Sequence, residues 1–286
     1  MAEMLTVLEV VQRSSAFLEG KGVESPRLNA EWLIAAALGM DRMKLYMQFD
    51  RPLKEAELAE MRSMVARRAK REPLQYVIGT APFHELDLKV DSRALIPRPE
   101  TEQLVELAID SLGENDVPYR IVDLGTGSGA IALALAFALP RAELFAVDAS
   151  RDALELAQEN ALRCGLQNRV TYVLSDWFSD FDPEGPFDLI ISNPPYLTDE
   201  EMKTAEPEVR DFEPLSALRA DREGLSDLEQ IVRGAFERLK PGGILWLETG
   251  IGHRSALLDL CSEVGYSDCL GCDDWSGRPR FIKATR

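Results

Sequence analysis

The chain has 286 residues, 45% apolar and 28% charged, a balance that excludes a disordered chain and a disulfide-stapled miniprotein. Its net charge of −17 weighs against broad attraction to nucleic acid or anionic membrane, which carry the same sign. The charge is unevenly placed: residues 1–75 hold 12 Lys/Arg against 11 Asp/Glu, and residues 76–286 hold 20 against 38.

The N-terminal stretch carries Glu3 and Glu9 among its apolar residues and lacks the basic, apolar, small-residue order of a secretory signal. The longest apolar run, Ala130 to Leu139, is ten residues, about half of a membrane span. Four cysteines (Cys164, Cys261, Cys269 and Cys272) form no disulfide framework and fit a reducing compartment. A cytoplasmic protein with no membrane association is expected.

From Leu5 to about Arg71 apolar residues recur three and four apart, first Leu5, Leu8, Val11 and Phe17, then Leu28, Trp32, Leu33 and Ala36, which predicts helices. Ser25 before Pro26 reads as an N-cap, and Gly39 ends that helix. Lys54 to Arg71 is a further helical stretch, whose basic run from Arg67 reads as a solvated helix end. Residues 1–73 therefore form a small helical bundle, either a packing appendage or a docking module for a partner. Gln75 to Val90 mixes β-branched and aromatic residues around Gly79 and Pro82, a hairpin that makes residues 74–98 a linker. An amphipathic helix follows to about Leu112.

Residues 99–286 then alternate strands and helices. Strands are predicted near Arg120–Leu124, Glu143–Val147, Val170–Leu174, Leu189–Ser192 and Ile244–Glu248, with helices near Ala130–Leu139, Arg151–Cys164 and Leu225–Leu239. Such alternation implies a mainly parallel sheet covered on both faces, with ligands at the carboxyl ends of its strands.

Ile121 to Gly129 is a strand entering three alternate glycines, Gly125, Gly127 and Gly129, with Thr126 and Ser128 between them. Glycine lets the backbone turn tightly against a ligand, and the helix that follows offers N–H groups. The G-x-G-x-G spacing and the acid Asp123 just before it suit a cationic ligand without phosphate, S-adenosylmethionine, better than a dinucleotide. Asp148, at the end of the second strand, stands where an acid accepts from ribose hydroxyls. After the third strand, Asp176 would bind an adenine amino group; Trp177 would either cover the ring or pack in the core.

The fourth strand runs into Asn193-Pro194-Pro195-Tyr196. Two prolines remove two backbone donors and leave the Asn193 side chain and the Pro194 carbonyl as acceptors for a planar NH₂ group. Holding both N–H bonds of an amide or exocyclic amine positions its nitrogen to attack a methyl group, and Tyr196 would wall the substrate. Leu197 to Gly224 reads as a long acidic loop directly after this turn. Cys269 and Cys272 have the spacing of half a zinc site or a redox pair, with no second pair to complete it, so two buried thiols and no metal are expected.

The chain resembles the peptide chain release factor glutamine-N5 methyltransferases, the HemK-like family, over nearly its whole length. The residues that carry the resemblance are Glu72 to Gly79, Ile96-Pro-Arg-Pro-Glu-Thr-Glu102, Asp123 to Gly129, Asn193 to Tyr196, Glu213-Pro214 with Ala217-Leu218, and Leu239 to Gly243. Pro97 to Glu102 is the most specific of these. The resemblance implies a helical N-terminal substrate-docking domain, a β-hairpin linker and a seven-stranded, Rossmann-like class I methyltransferase domain whose final strand, Arg280–Ala284, is antiparallel. It places S-adenosylmethionine, with S-adenosylhomocysteine as product, against Gly125 to Gly129, Asp148, Trp177 and Asn193. The substrate is then the Gly-Gly-Gln glutamine of class I release factors, held by Asn193 to Tyr196. A monomer is expected. After the fifth strand the chain departs from the family pattern, with Thr249 after the glutamate and His253 where glutamine is more frequent.

Three other readings are available. An amine methyltransferase acting on a nucleic-acid base would use the same turn but needs a basic groove. A non-catalytic docking module would not need both the glycine turn and Asn-Pro-Pro-Tyr. A dehydrogenase fits least, for want of its glycine spacing.

Overall fold

The computed structural model describes residues 5–114, 116–220 and 224–286. The chain forms two compact units, one running to Gly79 and including Glu206–Phe212, the other comprising Thr80–Ala205 and Glu213–Arg286.

In the first unit lie α1 (Val7–Glu19), α2 (Pro26–Ala37), α3 (Arg42–Tyr46), α4 (Glu55–Arg68) and α5 (Leu74–Ile78), with the short helix Pro207–Phe212, α10 in chain order. Thr6 and Glu9 close a capping box on α1, Glu9 N donating to Thr6 Oγ1 at 3.3 Å and Thr6 N to Glu9 Oε2 at 2.8 Å. That start sets the buried stripe at Val7, Val10, Val11, Ser14 and Leu18, so the expected Phe17 faces solvent. On α2 the stripe is likewise shifted: Ala30, Leu33 and Ile34 are buried while Leu28 and Trp32 are exposed. Ser25 holds the N-cap position with Pro26 at the first helical residue, as expected, but its side chain does not cap the helix. The Ser25 φ is +46°, and the turn is closed by Asn29 Nδ2, which donates to Glu24 O at 2.9 Å and Ser25 O at 3.2 Å.

The basic run after α4 is not a solvated end. Arg68 is buried and donates to Asn29 Oδ1 at 2.8 Å and Glu208 Oε1 at 2.7 Å. Arg71, at φ +70°, binds both oxygens of Glu208 at 2.7 Å and Glu206 at 2.9 Å. Arg67 donates to Glu72 Oε2 at 2.9 Å and Tyr76 O at 3.0 Å. Gln75, expected in a strand, lies in α5, which Pro73 precedes and Gly79 ends.

The second unit opens with the hairpin β1 (Thr80–Phe83) and β2 (Leu86–Lys89), antiparallel with Thr80 opposite Lys89. Its Phe83, Leu86 and Leu88 are buried among Leu104, Ile121 and Leu133, so it forms part of this unit's core. There follow α6 (Pro99–Leu112), β3 (Arg120–Leu124), α7 (Ala130–Ala138), β4 (Glu143–Asp148), α8 (Arg151–Arg163), β5 (Val170–Leu174), β6 (Phe187–Ser192) and α9 (Asp199–Thr204). The unit closes with α11 (Ser226–Arg238), β7 (Leu239–Glu248), α12 (Arg254–Val264), β8 (Ser267–Asp273) and β9 (Pro279–Thr285).

The seven-stranded sheet has the order β5-β4-β3-β6-β7-β9-β8, and β9 alone runs against the others. Side chains alternate between two cores: Ile121, Leu189, Ile191 and Trp246 face α6 and α7, while Val122, Ile190, Leu245 and Leu247 face α11 and α12. Strand order reverses between β3 and β6, where Leu124 pairs with Ser192, so the segments leaving these two strands start side by side.

Leu197 to Gly224 is more ordered than the expected loop. It carries α9, capped by Thr198, then α10 and a 3-10 turn at Leu215–Ala217; residues 221–223 lie outside the described residues. On β8, Cys269 packs toward the core under α11 and α12 and Cys272 toward the opposite one, since residues three apart on a strand face opposite ways. Both thiols are part-buried, against the full burial expected. Among the described residues no helix is long and apolar enough to cross a membrane.

Candidate active site

β3 hands the chain to α7 through Gly125–Gly129. Gly125 and Gly129 have φ of +72° and +82°, and a Cβ on them would stand 3.2 Å from the Trp177 ring and 3.0 Å from Ala157 Cβ. Both the backbone conformation and the space therefore require glycine. Of the N–H groups counted as open from the sequence, several are engaged: Gly125 and Thr126 donate to Val147 O at 2.8 and 3.0 Å, Gly127 to Asp148 Oδ2 at 2.8 Å, and Gly129 to Thr126 O at 2.8 Å.

Asp123 lies beneath the turn and is fully buried. Its Oδ2 accepts Thr126 Oγ1 at 2.6 Å and Ala132 N at 3.2 Å, which ties the turn to the start of α7. Oδ1 has no partner among the described residues. Burial pushes this carboxyl up to about 7, against the pull of those two donors.

Asp148, at the end of β4, accepts Gly127 N and Ser150 N on separate oxygens, each at 2.8 Å. Burial raises its carboxyl and the backbone donors oppose the shift. Each oxygen keeps a lone pair for a ligand. Trp177 follows β5 at φ +49°, its ring against Gly125, so it packs in the core and lines the site at once.

At the end of β6, Ser192 Oγ donates to Leu124 O at 2.6 Å and locks this strand end to the glycine turn's strand. Asn193 Nδ2 then donates to Thr101 Oγ1 at 3.1 Å. Thr101 comes from α6 and donates to Glu248 Oε2 at 2.7 Å, while Tyr196 OH donates to Glu248 Oε1 at 3.2 Å. Burial pushes Glu248 up to about 7, resisted by the Thr101 hydroxyl and Arg280. Tyr196 is raised by burial and by the nearby Glu248 charge. The Arg280 guanidinium lies 5.8 Å from the Tyr196 ring centre. On the other side of the site Arg98 Nη2 binds both oxygens of buried Glu213 at 2.7 Å.

These strand ends surround a cavity of about 380 Å³, within the usual range of small-molecule sites. Gly125, Thr126, Gly127, Ser128, Asp148, Asp176, Trp177, Asn193 and Pro195 all line it. Gly129 and Pro194 are not among the lining residues; Gly129 is the N-cap of α7 and Pro194 is buried. Tyr196 is not among them either, its hydroxyl being directed to Glu248. His253 packs its ring against Gly224 and Gly250 beside the Tyr196 backbone.

Sequence reasoning missed Thr101, Glu248 and the Arg98–Glu213 pair. Pro97 to Glu102 and Glu213-Pro214 stood out as motifs, but the partners are 115 and 147 residues apart and share no local pattern.

A doubly wound sheet with one reversed strand, a glycine turn and an Asn-Pro-Pro-Tyr turn meeting at its switch point defines a class I methyltransferase. Residues 103–208 match the methyltransferase small domain and residues 9–79 the PrmC N-terminal domain. The METTL16 methyltransferase domain shares the fold, with a TM-score of 0.53 at 19% identity over 70% of this chain and 88% of that one. The release factor glutamine methyltransferase of Geobacter sulfurreducens is 45% identical over 98% of this chain and 96% of its own length. That of Rhodopirellula baltica is 39% identical over 97% and 95%. The chain belongs to the release factor glutamine methyltransferase family.

Proposed function

We propose that this protein methylates the side-chain amide nitrogen, N5, of the glutamine in the Gly-Gly-Gln motif of class I peptide chain release factors in the cytoplasm, with S-adenosylmethionine as donor. The observation that carries the reading is Asn193 at the cavity, its Nδ2 spent on Thr101 and its Oδ1 left to accept.

The cavity suits a cationic nucleoside. Asp148, Asp176 and Asp227 line it, and of its two arginines Arg98 is bound to Glu213 and Arg93 to Asp91 and Glu159. A pyrophosphate would meet net negative potential there. Gly125 to Gly129, Asp148, Trp177 and Asn193 would hold the cofactor, with Asp176 at the adenine. When bound, it supplies a methyl group on a sulfonium centre and leaves as S-adenosylhomocysteine. Asn193 Oδ1 would accept one N–H of the substrate amide at the cavity, and the carbonyl of Pro194, a residue set back from the lining, would accept the other once the substrate enters, which fixes the nitrogen and favours the pyramidal form that attacks. Pro195 confines it, and Tyr196 supports the turn from behind the lining through its bond to Glu248.

The first unit would dock the release factor. Its α2 and residues 42–47 expose Leu28, Trp32, Tyr46, Met43 and Met47, the last two 72% and 85% exposed, and large exposed apolar side chains favour a protein partner. A nucleic-acid substrate fits poorly, since residues 76–286 carry 20 basic against 38 acidic side chains.

The test is incubation with labelled S-adenosylmethionine and a release factor. Label is expected on the intact factor and absent once the Gly-Gly-Gln glutamine is replaced. Asn193→Ala should lower the rate by about a hundredfold or more with the fold intact. Labelling that survives the glutamine replacement, or a wild-type rate in Asn193→Ala, would overturn the reading.

A further inference from the structure

Glu248 ends β7, next to the strand that carries Asn193, and is only 1% exposed. Its oxygens serve two different side chains. Oε2 accepts the Thr101 hydroxyl at 2.7 Å, and Oε1 accepts the Tyr196 hydroxyl at 3.2 Å. Thr101 Oγ1 in turn accepts Asn193 Nδ2 at 3.1 Å.

A hydroxyl has one proton, and the Glu248 carboxyl in its ionised form has none to give. With the Thr101 proton committed to Glu248, the Thr101 oxygen acts only as an acceptor toward Asn193. The Asn193 NH₂ must therefore face Thr101, and Oδ1 faces away from it. A carboxamide turned the other way would set acceptor against acceptor at Thr101 and donor against donor at the substrate amide, and the nitrogen to be methylated would lose its acceptor. Tyr196, three residues on, is held by the same carboxylate. Arg280 Nη1 lies 3.4 Å from the Tyr196 hydroxyl and donates to Thr249 O at 3.2 Å, which brings a positive charge near the buried acid.

We infer that Glu248 and Thr101 are positioning residues for methyl transfer: one buried carboxylate orients both ends of the Asn-Pro-Pro-Tyr turn, Asn193 through the Thr101 hydroxyl and Tyr196 directly. The inference rests on the reading above, which gives Asn193 its substrate amide. Both residues act through the turn. Their contribution belongs to the rate of the bound complex more than to the affinity for the cofactor.

The experiment compares steady-state kinetics of wild type, Thr101→Val, Thr101→Ser and Tyr196→Phe on a release factor. Thr101→Val keeps the shape and removes the relay; its kcat should fall by about tenfold to a hundredfold, the scale of misplacing a reacting group, while KM for S-adenosylmethionine stays within about twofold. Thr101→Ser restores the hydroxyl and should restore most of kcat. Tyr196→Phe, which leaves the ring in place, should lower kcat by a smaller factor, again without raising KM. Thr101→Val and Tyr196→Phe both at wild-type kcat overturn the relay, and so does a loss carried equally by KM or left unrescued by serine. Should Thr101→Val fold poorly in thermal melts, Tyr196→Phe and Thr101→Ser decide alone. A wild-type protein that does not label the release factor overturns the functional reading and the relay with it; active wild type with unaffected variants overturns the relay only.

Discussion

Asp123 illustrates how a single buried acid serves a binding turn without entering the cavity. Its Oδ2 holds the Thr126 hydroxyl and the third N–H of α7, so the glycine turn and the helix behind it move as one piece. The cost is electrostatic, since burial raises its carboxyl to about 7 from an ordinary value of about 4. Between those limits the folded chain keeps a proton that the unfolded chain gives up, so stability is greatest at the acid end and falls as pH rises through about 7. Glu248, also pushed up to about 7, acts in the same direction and window. Each contributes at most about 1.4 kcal/mol per pH unit. Asp123→Asn should therefore flatten the decline of melting temperature between pH about 4 and 7, leaving the part due to Glu248. A melting curve series with the wild-type slope would show that Asp123 does not titrate there.

At the scale of elements, the end of α4 carries a consequence for the first unit. Three arginines in five residues would repel one another on a solvated helix end, yet here Glu208 neutralises two of them and Arg68 is 7% exposed. Burial raises the Glu208 carboxyl, but Arg71 and Arg68 outweigh it and hold the group below its ordinary range. The stabilisation is present above that ordinary range and is lost as pH falls through the depressed value. Glu208→Ala strands a buried guanidinium and should cost about 2 kcal/mol in urea unfolding at neutral pH, with a smaller deficit in acid. An unchanged midpoint would mean that Asn29 and the remaining acceptors suffice for Arg68. The strands were largely legible beforehand, because β3, β4, β6 and β7 are apolar runs near Gly, Pro or Asp whose burial between two layers of helices requires that pattern, while β5 at the sheet edge reads from its β-branched and aromatic residues. The helical stripes of α1 and α2 were legible in period but not in phase. Phase depends on where the helix begins, which Thr6 sets by capping α1 and Asn29 by holding the turn before α2, contacts that periodicity does not reveal.

For the whole molecule, the excess of acid falls in residues 76–286, the part that contains the cavity. A protein partner presenting basic side chains beside its glutamine would be steered toward such a surface. The association rate with a release factor should fall as salt rises, most steeply at low ionic strength where the screening length exceeds about 10 Å. A rate independent of salt in stopped-flow measurements would leave the charge as an aid to solubility alone.

The sequence by itself determined the glycine turn, the acidic strand ends, the Asn-Pro-Pro-Tyr turn and the alternation that builds a parallel sheet, because each is written in a few contiguous residues whose backbone demands or hydrogen-bonding types are intrinsic. Only the tertiary structure decided which way Asn193 faces. Its amide is oriented by Thr101, 92 residues away, and Thr101 by Glu248, 147 residues further on. A motif states which donors and acceptors are present. The direction of a hydrogen bond is set by the partner across the fold, and here that partner is a buried carboxyl that, once ionised, can only accept.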